Sequence, residues 1–258
     1  MGPVAGSPSA DLWPHWATYD QNSTLVADHS VWTRFLETYV HADEAGATWV
    51  DYGAVSAPDH AMIDVYIGFL ERFPVRQATR DQQLAYWINL YNVLTVRLVL
   101  AHYPIASIRD IDISPGWFSD GPWGAKVTTV DGRKLSLNDI EHRILRPIWQ
   151  DPRIHYVVNC ASIGCPGLAP RAYTASDIEA QLAAAARTFV SHPRAISVIG
   201  GRVHASSLYK WYRADFGDTE SGVLDHIQLN AAGPLAGALV GMDRIDAYDY
   251  DWSLNDLR

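Results

Sequence analysis

The chain has 258 residues, 48% hydrophobic and 19% charged, with a formal net charge of −9. That length can bury its own core without disulfides, and the composition excludes a disordered chain. The acidic balance excludes nucleic-acid binding driven by a basic face, and no charge-free apolar run reaches the ~18 residues of a membrane-spanning helix.

The start, Met1 to Ala10, has no basic segment followed by an apolar one, so no signal peptide is visible. Residues 1–12 read as a disordered leader or a scar, and residues 13–258 as one domain. Val31–Val40 carries Val31, Phe35, Leu36 and Tyr39 at helical spacing behind Ser30 as N-cap. Asp59–Phe73 is a second expected helix, stopped by Pro74. The strongest runs from Arg80 to Tyr103, between a Thr79/Gln82 capping pattern and Pro104. It is apolar nearly all round, which places it in the middle of the domain. Its Asn89 and Asn92 then need partners.

Lys126–Leu137 alternates around Asp131-Gly132, a hairpin signal, and Leu137–Ile148 follows as a helix capped by Ser136 or Asn138. Ile154–Asn159 reads as a short strand entering the loop Cys160 to Pro166. Ala175–Val190 is an amphipathic helix, and Ala195–Val198 with Arg202–Ala205 a second hairpin. Short helical stretches at Leu208–Phe216, Gly222–Asn230 and Pro234–Leu239 precede a closing strand at Arg244–Tyr248. Without regular strand–helix alternation the class is α+β: a central buried helix on a small antiparallel sheet.

Reactive groups concentrate in Leu137–His142 and in Arg153–Pro166. They supply the thiol, imidazole and carboxylate that a thiol protease-like site requires. If Ile154–Asn159 is extended, His155 and Cys160 lie roughly 17 Å apart and point to opposite faces. The loop through Gly164 can instead fold Cys165 back along the strand. Glu141 and His142, adjacent on a helix, face about 100° apart and make poor partners. The preferred catalytic set is therefore Cys165, His155 and Glu141. The alternative is Cys160 with His142, oriented by Asn89, Asn92 or Asp251, and Cys160 with His155 stays open if Val157–Asn159 is irregular. Plainer readings stand beside these: Glu141 as a capping residue after Asn138, buried imidazoles, and a local disulfide between the cysteines. Two cysteines and a nearby histidine do not complete a tetrahedral zinc site, and Asp249 with Asp251 lacks calcium-loop spacing. No metal and no cofactor is expected.

Several short motifs in order resemble a large family catalogued as the domain of unknown function numbered 547. They are Trp87–Asn92, Leu135–His142 through Arg146, Arg153-Ile154-His155, Asn159-Cys160, Ser162–Pro166, Ala172–Thr174, Trp211-Tyr212 with Asp215-Phe216, and Tyr250–Asn255. The resemblance implies a fold related to papain-like and transglutaminase-like thiol enzymes, and a periplasmic or secreted location. On the central helix, Asn89 and Asn92 sit three apart and could line a substrate cleft or brace loops. Trp87, Tyr91 and Trp211 read as core.

The expected function is a thiol-dependent hydrolase or acyltransferase on small peptide amides, γ-glutamyl peptides such as glutathione included. The alternative is a non-catalytic module that binds a peptide in the same cleft. A thiol redox role for Cys160 and Cys165 is the third reading.

Overall fold

The computed structural model describes residues 8–115 and 121–257. Its axis is helix α3 (Arg80–His102), opened by Thr79, whose Oγ1 accepts from the Gln82 amide at 3.3 Å. Sixteen of its residues are buried, from Gln83 to Val99. Among the described residues, α3 alone is long and apolar enough to cross a bilayer, but it is packed inside the protein. An all-apolar helix needs cover on every side. It finds this in other helices: α2 (Ala57–Arg72), α4 (Leu137–Ile140) with the turn that follows, and α6 (Ile178–Ser191).

The expected single antiparallel sheet beneath α3 is therefore corrected. Strands β1 (Val40–Ala42) and β2 (Thr48–Val50) form one two-stranded sheet, and β3 (Thr128–Val130) with β4 (Arg133–Leu135) another. A third holds β5 (Ile196–Ile199), β6 (Arg202–Ser206) and β7 (Ala247–Asp249). Three-residue strands span only ~10 Å, too little to cover a helix of ~35 Å. The closing strand is displaced to Ala247–Asp249 and pairs parallel to β6, His204 opposite Ala247.

Helix α1 (Ser30–Tyr39) takes Ser30 as its first residue, with His29 at the cap position. Ser56 caps α2, two residues earlier than the pattern suggested, by accepting from the Asp59 amide at 3.2 Å. The hairpins turn at Asp131-Gly132 and Gly200-Gly201, where all four residues have positive φ.

The segment Ile154–Asn159 is not a strand. Pro152–Tyr156 is a 3-10 helix, started by Pro152 and capped by Asp151, whose Oδ1 accepts from the Arg153 amide at 2.8 Å. The apolar run looks extended in sequence because its residues face two cores. Ile154, Val157 and Val158 join the first core around α3, and Tyr156 joins the second. Helix α6 is shared likewise: Ile178 and Leu182 face the first core, Ala186, Phe189 and Val190 the second. The second core is completed by β5, β6, α7 (Ser207–Trp211) and α8 (Glu220–Asn230), and α9 (Gly233–Ala238) lies against β5.

Of the expected leader, residues 1–7 lie outside the described residues. Residues 8–12 lie against the helix that follows β4: the Pro8 carbonyl accepts from Arg146 at 2.7 Å, and the Asp11 amide donates to the His142 carbonyl at 2.9 Å.

One buried and one half-buried imidazole couple this fold to acid. His29 meets the Tyr66 hydroxyl at 2.6 Å and His226 the Tyr156 hydroxyl at 2.9 Å, and burial lowers both pKa values to about 4. In the unfolded chain each protonates near 6.5. Folded values below unfolded ones mean that stability is fully present above about pH 6.5 and is lost as pH falls toward 4. The urea midpoint should therefore drop between pH 7 and pH 4.5, and His226→Gln should flatten that drop; an unchanged midpoint contradicts the assignment.

Candidate active site

The site is built on three loop-and-helix junctions beside α3. The first is the helix after β4. Ser136 and Asp139 form its capping box, with the Asp139 amide donating to Ser136 Oγ at 3.1 Å and the Ser136 amide to Asp139 Oδ2 at 2.9 Å. Lys126 also bonds Asp139. Asp139 thus does the capping and leaves Glu141 free for another role. Glu141–Leu145 is a π turn before α5 (Arg146–Trp149). The wider turn lets the neighbours Glu141 and His142 both line one cavity, which an α-helix disfavours. Glu141 Oε2 accepts from the Tyr91 hydroxyl of α3 at 3.2 Å.

The second junction is the 3-10 helix carrying His155. Its Nε2 lies 2.6 Å from Asp215 Oδ2, and its ring stacks on Tyr212 with centroids 4.1 Å apart. Arg146 forks onto the same carboxylate, Nε to Oδ2 at 2.6 Å and Nη2 to Oδ1 at 3.1 Å. Burial pushes the Asp215 carboxyl up, but the bonds from His155 and Arg146 outweigh it and hold it well below the usual carboxylate range. Arg146 Nη1 lies 3.1 Å from His142 Nδ1. A guanidinium can only donate, so that nitrogen accepts and His142 is neutral with its proton on Nε2. Burial, the largest influence, lowers the His142 pKa in the same sense.

In His155 the bond to Asp215 places the proton on Nε2. Its Nδ1 is buried and has no hydrogen-bond partner among the described residues. Glu141 Oε1 stands 3.8 Å from that nitrogen and 3.9 Å from His142 Nδ1, too far for a bond to either.

The third junction is the cysteine loop, which side-chain amides and the C-terminal tail hold in place. Asn92 Nδ2 donates to the Val157 carbonyl and Oδ1 accepts from the Asn159 amide, both at 2.8 Å. Asn89 does the same for Tyr173, at 2.8 and 3.0 Å. Asn159 continues the pattern, from Nδ2 to the Pro166 carbonyl and from the Ala161 amide to Oδ1. The expected substrate-binding role of Asn89 and Asn92 is corrected: both are buried, both amide ends are used, and neither lines the cavity. Tail residues clasp the loop from the other side. The Ile163 amide donates to the Ser253 carbonyl, the Gly164 amide to the Asp251 carbonyl, and the Asn255 amide to the Ala161 carbonyl. A Cβ on Gly164 would stand 2.8 Å from the Asp251 amide nitrogen, so only glycine fits there. Asp251 therefore holds the loop through its backbone, while its side chain accepts from the Ser253 amide rather than orienting His142.

Directly after Cys160, Ala161 has φ +56°, a left-handed conformation that costs a non-glycine residue ~1–2 kcal/mol. The bonds just described hold it there. Both cysteines are free, so the local disulfide is not formed. Cys160 is half-buried and Sγ meets Tyr250 Oη at 3.0 Å and Ser162 Oγ at 3.3 Å. Burial raises its pKa, but hydrogen bonds from Cys165, Ser162 and Tyr250 win, and the net shift is downward. Cys165 is buried, with Sγ accepting from the Cys160 amide at 3.0 Å, and burial pushes its thiol well above the ordinary range.

Glu141, His142, His155, Cys160 and Cys165 line a single cavity of about 510 Å³, walled by Trp123, Trp211, Tyr212, Tyr250 and Trp252. Both sequence-derived sets thus converge on one place. Neither sulfur, however, is hydrogen-bonded to an imidazole among the described residues. Trp87 and Tyr91 are core as expected, Tyr91 also reaching the cavity, whereas Trp211 is half-buried in the cavity wall and belongs to neither core. Asp215 and Tyr250 carry much of the site and had no assigned role in the sequence. Both lie in the motifs Asp215-Phe216 and Tyr250–Asn255, the one signal that pointed to them.

The molecule is thus an α+β protein with a thiol- and imidazole-lined cavity between two cores. A family model described as "Protein of unknown function, DUF547" matches residues 75–190. That stretch contains Glu141, His142, His155 and both cysteines. Asp215 and Tyr250 lie beyond it. No curated protein and no solved structure matches the chain.

The Arg146–Asp215 pair makes a direct prediction. Asp215→Ala leaves a buried guanidinium and a buried imidazole without their acceptor, which should cost about 3–5 kcal/mol in urea unfolding. In the wild type this contribution should persist above the unfolded carboxyl value near 4 and vanish as pH falls below it. A loss under ~1 kcal/mol would show that the cluster is solvated.

Proposed function

We propose that the chain is a thiol-dependent hydrolase or acyltransferase of small peptide amides, with Cys160 rather than Cys165 as nucleophile. The supporting observation is the asymmetry of the two thiols in one cavity. Cys160 is accessible and receives hydroxyl hydrogen bonds that favour its thiolate, while Cys165 is buried and held protonated. A thiolate stabilised by hydroxyls needs no adjacent base to form. That accommodates the lack of a bond between sulfur and imidazole.

In this reading the proton of the Cys160 thiol has passed through solvent to His155 Nδ1, the resulting thiolate attacks the amide carbonyl, and a carbon–sulfur bond forms. The carbon–nitrogen bond then breaks, and the departing amine takes a proton from His155 Nδ1. Water, giving one proton back to Nδ1, opens the thioester to the acid and the Cys160 thiolate; an amine in place of water gives transfer. Asp215 fixes the His155 ring, and Glu141 faces Nδ1 across 3.8 Å. The aromatic walls suit a short peptide with some apolar surface, and γ-glutamyl peptides such as glutathione fall within this class. The relation to papain-like and transglutaminase-like enzymes, and the periplasmic or secreted location, rest on the motif resemblance.

One observation favours a binding module instead: the imidazole nitrogens facing Asp215 and Arg146 are already occupied, and neither sulfur meets a ring. Turnover decides between the two. Incubation with glutathione and a mixed peptide library, read by mass spectrometry, should show amide cleavage or transfer that Cys160→Ala reduces to background. His155→Ala should lower kcat by about 10²–10⁴ while leaving the alkylation rate of Cys160 within a few-fold. Peptide binding with no turnover would establish the module, and abolition by Cys165→Ala alone would move the nucleophile to Cys165.

A further inference from the structure

The two cysteines are arranged for chemistry that the hydrolytic reading does not use. Cys165 Sγ lies against the backbone of Cys160, 3.0 Å from its amide nitrogen. The four residues between them close a turn in which the Cys165 amide donates to the Ser162 carbonyl at 3.1 Å. The tail clasp at Ile163 and Gly164 keeps that turn in place. Each thiol is near enough to the other to shift its ionisation. Cys160 lines the open cavity and is reachable by a small solute, while Cys165 stands behind it.

We propose that Cys160 and Cys165 form a reversible oxidation site, in which a hydroperoxide oxidises Cys160 and Cys165 resolves the product to an intramolecular disulfide. In the first step the Cys160 sulfur attacks the terminal peroxide oxygen. A sulfur–oxygen bond forms, the oxygen–oxygen bond breaks, and the departing alkoxide or hydroxide takes up a proton; Cys160 becomes the sulfenic acid. In the second step the Cys165 sulfur attacks the Cys160 sulfur. The sulfur–sulfur bond forms, the sulfur–oxygen bond breaks, and hydroxide leaves with the Cys165 proton as water. One hydroperoxide is reduced by two electrons and two thiols are oxidised. A thiol reductant reverses the bridge by exchange. The hydroxyls of Tyr250 and Ser162 next to Cys160 Sγ can donate to the leaving oxygen.

The inference is independent of amide turnover, and its test reads mass rather than activity. The full-length chain is treated with graded hydrogen peroxide, quenched, and analysed by intact mass and by peptide mapping without reduction. The expected result is loss of two hydrogens per chain, both thiols consumed together, a Cys160–Cys165 link within one chain, and full recovery with dithiothreitol. Cys165→Ser should instead give a dimedone adduct at Cys160, or the sulfinic acid with excess peroxide. The wild-type measurement needs no variant to fold. Oxidation of Cys160 straight to the sulfinic acid in the wild type, a link between chains, or unchanged mass under peroxide that fully oxidises free glutathione would overturn the proposal.

Discussion

A buried guanidinium organises the site. Arg146, on the helix after the π turn, cannot leave water without a carboxylate to receive it, and Asp215 comes from the segment after α7 to do so. The same carboxylate takes His155 Nε2, and the same guanidinium takes His142 Nδ1. One ion pair therefore fixes the tautomers of two imidazoles and joins the helix after β4 to the second core. Tyr212 lies under both cation and ring, stacked on His155 and 4.9 Å from the Arg146 guanidinium. The orientation of both imidazoles in the cavity follows from that one pairing.

Amides perform the corresponding task for the cysteine loop. Asn89, Asn92 and Asn159 each use their carboxamide as a surrogate peptide group, one donor and one acceptor against irregular backbone. Buried backbone without sheet or helix partners has to be paired in some such way. The tail completes the work by lending its own backbone and delivering Tyr250 to Cys160. The strained Ala161 between these supports marks the place where the chain must turn sharply beside a reactive sulfur.

What was legible in the sequence follows the range of the interactions. Caps, apolar stripes and turn glycines are local, so α2, α3, α6 and the two hairpins were readable nearly to their ends. Ile154–Asn159 failed because its apolar residues serve two cores from a 3-10 turn, and periodicity cannot tell that from a strand. Glu141, His142, His155, Cys160 and Cys165, which line one cavity, were all singled out, since acid–base and nucleophilic chemistry is written in their types. Their pairing was not. Asp215 lies 60 residues from His155, and Tyr250 lies 90 from Cys160. The local Asp-Pro at 151–152 was the missed hint that a helix, not a strand, begins there.

The account rests on the claim that Cys160 is the reactive thiol because hydrogen bonds from Cys165, Ser162 and Tyr250 hold its charge. The most direct measurement is the pH dependence of iodoacetamide alkylation, resolved by peptide mapping for each cysteine, in the wild type and in Tyr250→Phe. The account predicts that Cys160 reacts first, with a midpoint below the ~8.5 of an ordinary thiol, and that Tyr250→Phe moves the midpoint upward. Faster labelling of Cys165, or a Cys160 midpoint at or above 8.5 that Tyr250→Phe leaves in place, would contradict it.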